Sequence, residues 1–243
     1  DLFDVLLSSL TVPEFIQKGV LAPFDYVAIR EGSRQQLLVN SLKKRGADGD
    51  YQVKEMNEVL NRSVSIGRLH DAYAQYAPGK KGIVYAISIE HARSIAAYYM
   101  ERGIKAVAIS AQTPAKERAE WLELFRSGEV KVLVNVDIFS EGFDCPDVEF
   151  IQLARPTLSL AKYLQMVGRG LRMHQEKACC VILDNVGLVH LFGLPTRCWN
   201  WQSAFEGRMV TVKKTEAVDT PSDSELTVVI THERLQKLIG QAN

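Results

Sequence analysis

The sequence predicts an α/β fold in which a parallel β-sheet is covered by helices on both faces. The main observation is that short apolar runs, typical of buried strands, alternate with amphipathic segments of helical length from about Gly82 onward. The composition agrees, because 47% of the 243 residues are hydrophobic and 24% are charged, which suits a globular protein with a sizeable core. In such a sheet, ligands bind beyond the carboxyl ends of the strands.

The individual elements can be placed in order along the chain. Strands are predicted at 26–30, 82–87, 105–110, 130–136, 149–153 and 178–183. Helices are predicted at 13–18, 33–43, 53–76 and 88–102, then from 113, at 159–172, and from 231. Ser88 is expected to cap the helix that follows it, and Thr113 the next one, with Pro114 at its first position. That second helix should direct Ala115, Ala119, Leu122 and Phe125 toward the core.

The chain divides into three predicted parts. Residues 1–80 are expected to be a helical lead-in, residues 81–194 the main α/β unit, and residues 195–243 an accessory C-terminal extension. The extension contains two tryptophans, the segment Val-Thr-Val-Lys-Lys at 210–214 and a linker rich in Pro, Ser and Asp at 220–224.

Charge and cysteine content exclude several classes of protein. The formal net charge is zero, so a general coating of polyanions is not expected and any nucleic-acid contact must come from local patches. No segment reaches the roughly 20 apolar residues of a membrane span. The four cysteines form no Cys-x-x-Cys pair, which favours reduced thiols and a cytoplasmic location.

Residues 165–172, Gln-Met-Val-Gly-Arg-Gly-Leu-Arg, form the most informative stretch. On a helix, the spacing i, i+4 and i+7 places Gln165, Arg169 and Arg172 on one face. A guanidinium is planar and donates two parallel hydrogen bonds, which suits phosphate oxygens. The segment is therefore predicted to bind a phosphate.

The charges around this stretch are segregated. Residues 150–175 contain no Asp or Glu but four Lys or Arg, whereas residues 132–154 contain no Lys or Arg. The acidic residues of the earlier block and the turn that follows it are Asp137, Glu141, Asp144, Asp147 and Glu149. An alternative interpretation is that the arginines merely pair with these acids in a structural network.

Other candidate motifs fail. Gly79-Lys80-Lys81 resembles the end of a phosphate-binding loop, but Ala74 replaces the first glycine and the segment precedes a strand instead of following one. The sequence also contains no Asp-Glu dipeptide of the kind that would bind magnesium and activate water. The five histidines show no ligand spacing, so no metal site is predicted.

Taken together, these motifs resemble the second RecA-like domain of superfamily 2 helicases of the DEAD/DEAH type. Residues 82–88 resemble motif IV, residues 135–144 resemble motif V, and residues 165–172 fit the motif VI pattern Gln-x-x-Gly-Arg-x-x-Arg. The three motifs occur in the family order over roughly 110 residues, from Gly82 to about Leu194.

The resemblance implies a role for each matching position. Arg169 and Arg172 would be arginine fingers that reach the γ-phosphate of ATP, with Gln165 orienting them. Gly142 would allow close approach to the nucleotide, and Asp144 would hold the ribose or couple the two sites. The residues implied to contact the nucleic-acid backbone are Ser88, Ser110 and Gln112, although a plain helix N-cap explains Ser88 equally well.

The resemblance implies the C-terminal motor domain of an ATP-dependent helicase or translocase. ATP and Mg²⁺ would be held mainly by a first RecA-like domain of the same protein, which is absent from this chain, so the chain alone should be inactive. DNA is the expected partner, with RNA as the alternative. The competing hypothesis is a non-catalytic RecA-like module that binds nucleic acid or protein within a larger assembly such as a restriction complex.

Overall fold

A computed structural model of the chain describes residues 10–136, 145–199, 201 and 225–241, which contain a seven-stranded sheet. The strand order is β3-β4-β2-β5-β6-β1-β7, and every neighbouring pair is parallel except β1 and β7. The predicted parallel α/β sheet is therefore confirmed. The strands are β1 Phe24–Ile29, β2 Gly82–Tyr85, β3 Ala106–Ser110, β4 Val132–Val136, β5 Phe150–Leu153, β6 Cys180–Asp184 and β7 Leu226–Ile230.

Helices cover both faces of the sheet, as predicted. Side chains alternate across each strand, so Ile83 and Tyr85 of β2 enter one core and Val84 enters the other. Helices α4 and α5 close the second core, while the other helices with buried residues pack on the first. The helices are α1 Val12–Gln17, α2 Arg34–Asn40, α3 Val53–Leu60, α4 Ser63–Tyr76, α5 Ile89–Met100, α6 Ala115–Arg126, α7 Leu160–Gly168, α8 Leu188–Phe192 and α9 His232–Gln241.

The sheet extends beyond the predicted main unit at 81–194. Strand β1 comes from the lead-in and lies between β6 and β7, while β7 comes from the C-terminal extension. The strand predicted at 26–30 is therefore confirmed as β1, although it begins and ends earlier, at Phe24 and Ile29. The resemblance also implies that residues 1–80 connect this unit to a first motor domain, which remains a prediction, and residues 210–214 and 220–224 lie outside the described residues.

Two predictions for helix α6 were wrong. The helix begins at Ala115 with Pro114 as its N-cap, because the Thr113 hydroxyl instead accepts a hydrogen bond from the Ser110 amide at 3.0 Å. Ala115 and Ala119 are exposed instead of facing the core, and Phe125 is the fully buried residue of this helix. The segment predicted as helical at 53–76 is helical except at 61–62, which separate α3 from α4.

Within the part of the chain that the structure describes, no helix combines the length and the apolar character needed to cross a membrane.

Candidate functional site

Ser88 lies at the carboxyl end of β2, where it caps helix α5. Its Oγ accepts a hydrogen bond from the His91 amide at 3.0 Å and donates one to Asn57 Oδ1 at 2.8 Å. The N-cap role that the sequence allowed is therefore present. A ligand that approached this half-buried hydroxyl would have to replace the bond to Asn57.

Ser110 and Gln112 follow the carboxyl end of β3 and share a pocket with the first turns of α5. The pocket has a volume of about 210 Å³, and Ile89 and Arg93 of α5 form its other wall. Ser110 is buried and its Oγ accepts a hydrogen bond from the Gln112 amide at 3.2 Å, while the Gln112 side chain is exposed. The amino end of α5 contributes a partial positive charge to this surface, whereas Glu117, which also lines the pocket, contributes a negative charge.

Arg93 is a residue of this pocket that the sequence motifs did not identify. It is exposed on α5, one turn after Ile89, and adds a full positive charge beside Ser110 and Gln112. The sequence indicates only that Arg93, four residues after Ile89, lies on the same face of the helix. That this face borders a pocket is known only from the structure.

Residues 165–172, which were predicted to bind a phosphate, do not form a single helical face. Helix α7 ends at Gly168, Arg169 is its C-cap, and Arg172 lies beyond it in an isolated antiparallel bridge with Leu21. The prediction of one face for Gln165, Arg169 and Arg172 was therefore wrong, because the i+7 spacing applies only while the helix continues. Gln165 is exposed, whereas both arginines are half-buried.

The two arginines nevertheless converge electrostatically on one group, the phenol of Tyr85 at the carboxyl end of β2. Burial raises the pKa of Tyr85 well above its usual range, and the positive charges of Arg169 and Arg172 oppose that rise. Both guanidinium groups thus lower the pKa of the same phenol, although they sit on different local structures.

Close packing fixes the backbone between the two arginines. A Cβ atom at Gly170 would lie 2.5 Å from both the Cys180 Sγ and the Ile151 Cγ1, so only glycine allows this approach to β5 and β6. The next carbonyl, that of Leu171, accepts a hydrogen bond from the Ala22 amide at 2.8 Å. The segment is thus attached to the sheet and to the lead-in at consecutive residues.

The start of α7 is held by a buried carboxylate from the lead-in. Asp50 accepts hydrogen bonds from the Thr157 hydroxyl at 2.7 Å, the Leu158 amide at 2.8 Å and Lys162 Nζ at 3.0 Å. Burial tends to raise the pKa of Asp50, but these hydrogen bonds outweigh it and the pKa is lowered. The lead-in therefore positions the helix that carries Gln165.

Two acids of the motif region are engaged by lysines. Asp147 pairs with Lys81, and Glu149 accepts a hydrogen bond from the Lys81 amide at 3.0 Å and pairs with Lys80 Nζ at 3.5 Å. Gly142 and Asp144, together with Asp137 and Glu141, lie outside the described residues, so their predicted roles stay predictions.

Among the described residues, Asp25, Cys179 and His232 bring three potential metal ligands together. Asp25 Oδ1 lies 2.6 Å from the His232 amide nitrogen and 2.8 Å from its Nδ1, and Cys179 Sγ lies 3.9 Å from Oδ2. Two nitrogen or oxygen ligands of a tetrahedral zinc ion would be about 3.3 Å apart, so 2.8 Å is the length of a hydrogen bond. The carboxylate serves as a cap that attaches α9 to β1.

Comparison with known proteins identifies the region that contains these residues. Residues 64–174 match the family model described as the helicase conserved C-terminal domain. The matched range begins in α4 and ends just beyond Arg172, so it includes both strand ends with Ser88 and Ser110 and the whole arginine segment.

Two relatives match the sequence over more residues than the family model does. The 51.5 kDa protein of a Lactococcus phage (isolate 7-9) is 37% identical over 207 residues, which cover 85% of this chain and 44% of the phage protein. A Saccharomyces cerevisiae protein assigned as the ATP-dependent helicase IRC3 is 35% identical over 134 residues, which cover 55% of this chain and 19% of that protein. The chain thus spans less than half the length of either relative.

One solved structure shares the fold. A fragment assigned as the HsdR subunit of a type I restriction enzyme from Vibrio vulnificus YJ016 superposes with a TM-score of 0.56 at 20% identity. The match covers 77% of this chain and 36% of the other, so it includes elements outside residues 64–174.

Proposed function

We propose that this chain supplies the second half of an ATP-driven motor that moves along nucleic acid or unwinds it, because residues 64–174 match the family model described as the helicase conserved C-terminal domain. The observation that carries the proposal is the arginine segment. Two arginines lie three residues apart at the end of one short helix, one as its C-cap and one in a bridge with Leu21, and glycine packing holds the backbone between them in place.

The proposed role of Arg169 and Arg172 is to stabilise charge on the γ-phosphate of ATP, with Gln165 orienting them. Positively charged groups held in place before the reaction lower the barrier most, because they need not reorganise as charge develops. An arginine of this kind contributes about 10³- to 10⁵-fold in rate. Gly142 and Asp144 are proposed to approach the same nucleotide.

The proposed partner of this chain is a first RecA-like domain of the same protein. The sequence contains neither a complete phosphate-binding loop nor the acidic pair that would hold Mg²⁺, so ATP with Mg²⁺ would be bound mainly by that domain. The arginines would then act across the cleft between the two domains.

The proposed nucleic-acid surface is the edge where β2 and β3 end. Ser88, Ser110 and Gln112 lie there beside the amino end of α5, and Arg93 adds positive charge. Hydroxyl groups, amides and helix ends bind the sugar-phosphate backbone without reading bases. We propose DNA as the substrate, and RNA is the alternative that a competition assay distinguishes.

The test compares ATP hydrolysis by this chain alone with hydrolysis by the complete protein, with and without single strands. The proposal predicts that turnover requires the complete protein and rises when nucleic acid is added. Stimulated turnover by the isolated chain would contradict the two-domain proposal. A complete protein that binds strands but never hydrolyses ATP would support the non-catalytic module instead.

A further inference from the structure

Lys177 is a buried lysine in the segment that joins Arg172 to β6. Its side chain is 5% exposed, and its Nζ donates hydrogen bonds to three backbone carbonyls, those of Pro146 at 2.8 Å, Val148 at 3.0 Å and Gly170 at 3.0 Å. An ammonium group has three donors, so each one has an acceptor. No sequence motif in the chain points to this residue.

The three carbonyls belong to two separate pieces of chain. Pro146 and Val148 form the turn that precedes β5, whereas Gly170 lies between Arg169 and Arg172. Burial lowers the pKa of Lys177, since an ammonium group is costly to remove from water. The three carbonyl oxygens offset that cost, and an apolar side chain at this position would remove the donor from each of them.

A second buried lysine holds the same turn from the other side. Lys81 is 6% exposed, and its Nζ pairs with the Asp147 carboxylate and donates to the Arg126 carbonyl at 3.3 Å. The turn at 145–149 is thus fixed to α6 by one lysine and to the arginine segment by the other. Because contacts on two sides hold the turn in place, the hydrogen bond from Lys177 also fixes the position of the Gly170 carbonyl.

We propose that Lys177 is a positioning residue for ATP hydrolysis. It fixes the position of the Gly170 carbonyl, and therefore of Arg169 and Arg172, relative to the turn at 145–149. The inference rests on the proposed function, because it assigns the arginines to the nucleotide. Lys177 itself touches no substrate. It acts through the carbonyl of Gly170, which directly follows Arg169 and lies two residues before Arg172.

The test replaces Lys177 in the complete protein and compares Lys177→Met with Lys80→Met. Lys80 is the matched control, since it reaches the same turn through Glu149 at 3.5 Å but makes no contact with the arginine segment. Turnover, the KM for ATP and the melting temperature are measured, and turnover is expressed per folded molecule well below the melting temperature.

Lys177→Met is expected to lower kcat by roughly 10- to 100-fold, because a shift of about 1 Å in a catalytic group costs on that order. The KM for ATP should change less than about threefold, since ground-state binding belongs to the other domain. Lys80→Met should keep kcat within about twofold of the wild type. If Lys177 had only a structural role, its replacement would lower the melting temperature and leave kcat and the KM for ATP at their wild-type values.

Wild-type kcat in folded Lys177→Met would overturn the inference. If that variant does not fold, Lys177→Arg is decisive, because a planar guanidinium retains the charge but cannot direct three donors from one atom. It should fold and still lose at least about fivefold in kcat, and full activity would overturn the inference. Arg169→Ala is assayed in parallel, since its full activity would instead refute the proposed function.

Discussion

His91 determines how the Ser88 end of the site responds to pH. Burial lowers its pKa to about 4, and its Nδ1 accepts a hydrogen bond from the Ile87 amide at 3.2 Å, which requires the neutral ring. The unfolded chain binds a proton near pH 6.5, whereas the folded chain does not until about pH 4. Stability from this group is therefore complete above pH 6.5 and is lost as the pH falls toward 4.

We expect the free energy of unfolding to fall by roughly 2–4 kcal/mol from this one group between pH 6.5 and 4. The variant His91→Gln should be less stable at pH 7.5 by about 1–3 kcal/mol and should lose less stability over that interval. Urea unfolding at several pH values measures how the free energy of unfolding depends on pH in the wild type and in the variant. Parallel curves for the two proteins would show that His91 is not the group that titrates.

Single residues of the site could be predicted where the sequence requirement is local. The capping of α5 by Ser88 follows from a hydroxyl placed before a helical run, and the structure confirms it. Arg93 could not be predicted, because its importance depends on β3 and the turn after it, which lie beside α5 only in the folded chain.

Within α7 and the segment after it, the two glycines have different roles. A Cβ atom at Gly170 would overlap Cys180 and Ile151, whereas a Cβ atom at Gly168 would meet nothing within 4 Å. We expect Gly170→Ala to lower the free energy of unfolding by about 1–3 kcal/mol through overpacking. Gly168→Ala should be neutral or stabilise by up to about 1 kcal/mol, since alanine favours the helix.

Thermal melts of the two variants measure this difference. Equal melting temperatures would show that the segment moves away from the sheet to accept a methyl group, and the rigid backbone assumed for the arginines would then be wrong. The comparison is well matched, because both substitutions add the same methyl group within three residues of each other.

Most elements could be predicted from apolar periodicity, whereas their ends and the edge of the sheet could not. The strand at 226–230 was missed because it is short and pairs with β1, about 200 residues away, so that its pairing is decided by tertiary contacts. The end of α7 was placed four residues too late, since the stop depends on the contact of Gly170 with Ile151 and Cys180.

For the whole molecule, the zero net charge predicts weak binding of single strands by this chain alone. Contacts from a small surface such as that around Arg93 should be mainly electrostatic, so affinity should fall steeply with salt. Fluorescence titrations at about 50 and about 200 mM salt measure the slope. Tight binding that does not depend on salt would favour an independent binding module.

The parallel sheet and the order of the motifs were predictable, because both depend on patterns of residues that are close together in the sequence. The Asp50 contact with the start of α7 and the Lys177 contact with Gly170 were not predictable. Each of these joins segments that are far apart in sequence, and no pattern in either segment identifies its partner.

The most direct test of the central claim is one variant, Arg169→Ala, in the complete protein. If the guanidinium acts on the γ-phosphate in the transition state, turnover should fall by about 10³-fold while ATP affinity changes much less. Arg169→Lys should not restore the rate, because an ammonium group lacks the planar pair of donors. Arg126→Ala, which removes an exposed arginine that pairs with Glu123 at 3.4 Å, serves as the control.

The measurement is the rate of ATP hydrolysis per folded molecule, taken together with the melting temperature of the same sample. The proposed function predicts a nearly inactive Arg169→Ala protein whose melting temperature stays close to that of the wild type. A destabilised variant with full activity per folded molecule would contradict it, and would show that Arg169 has only a structural role.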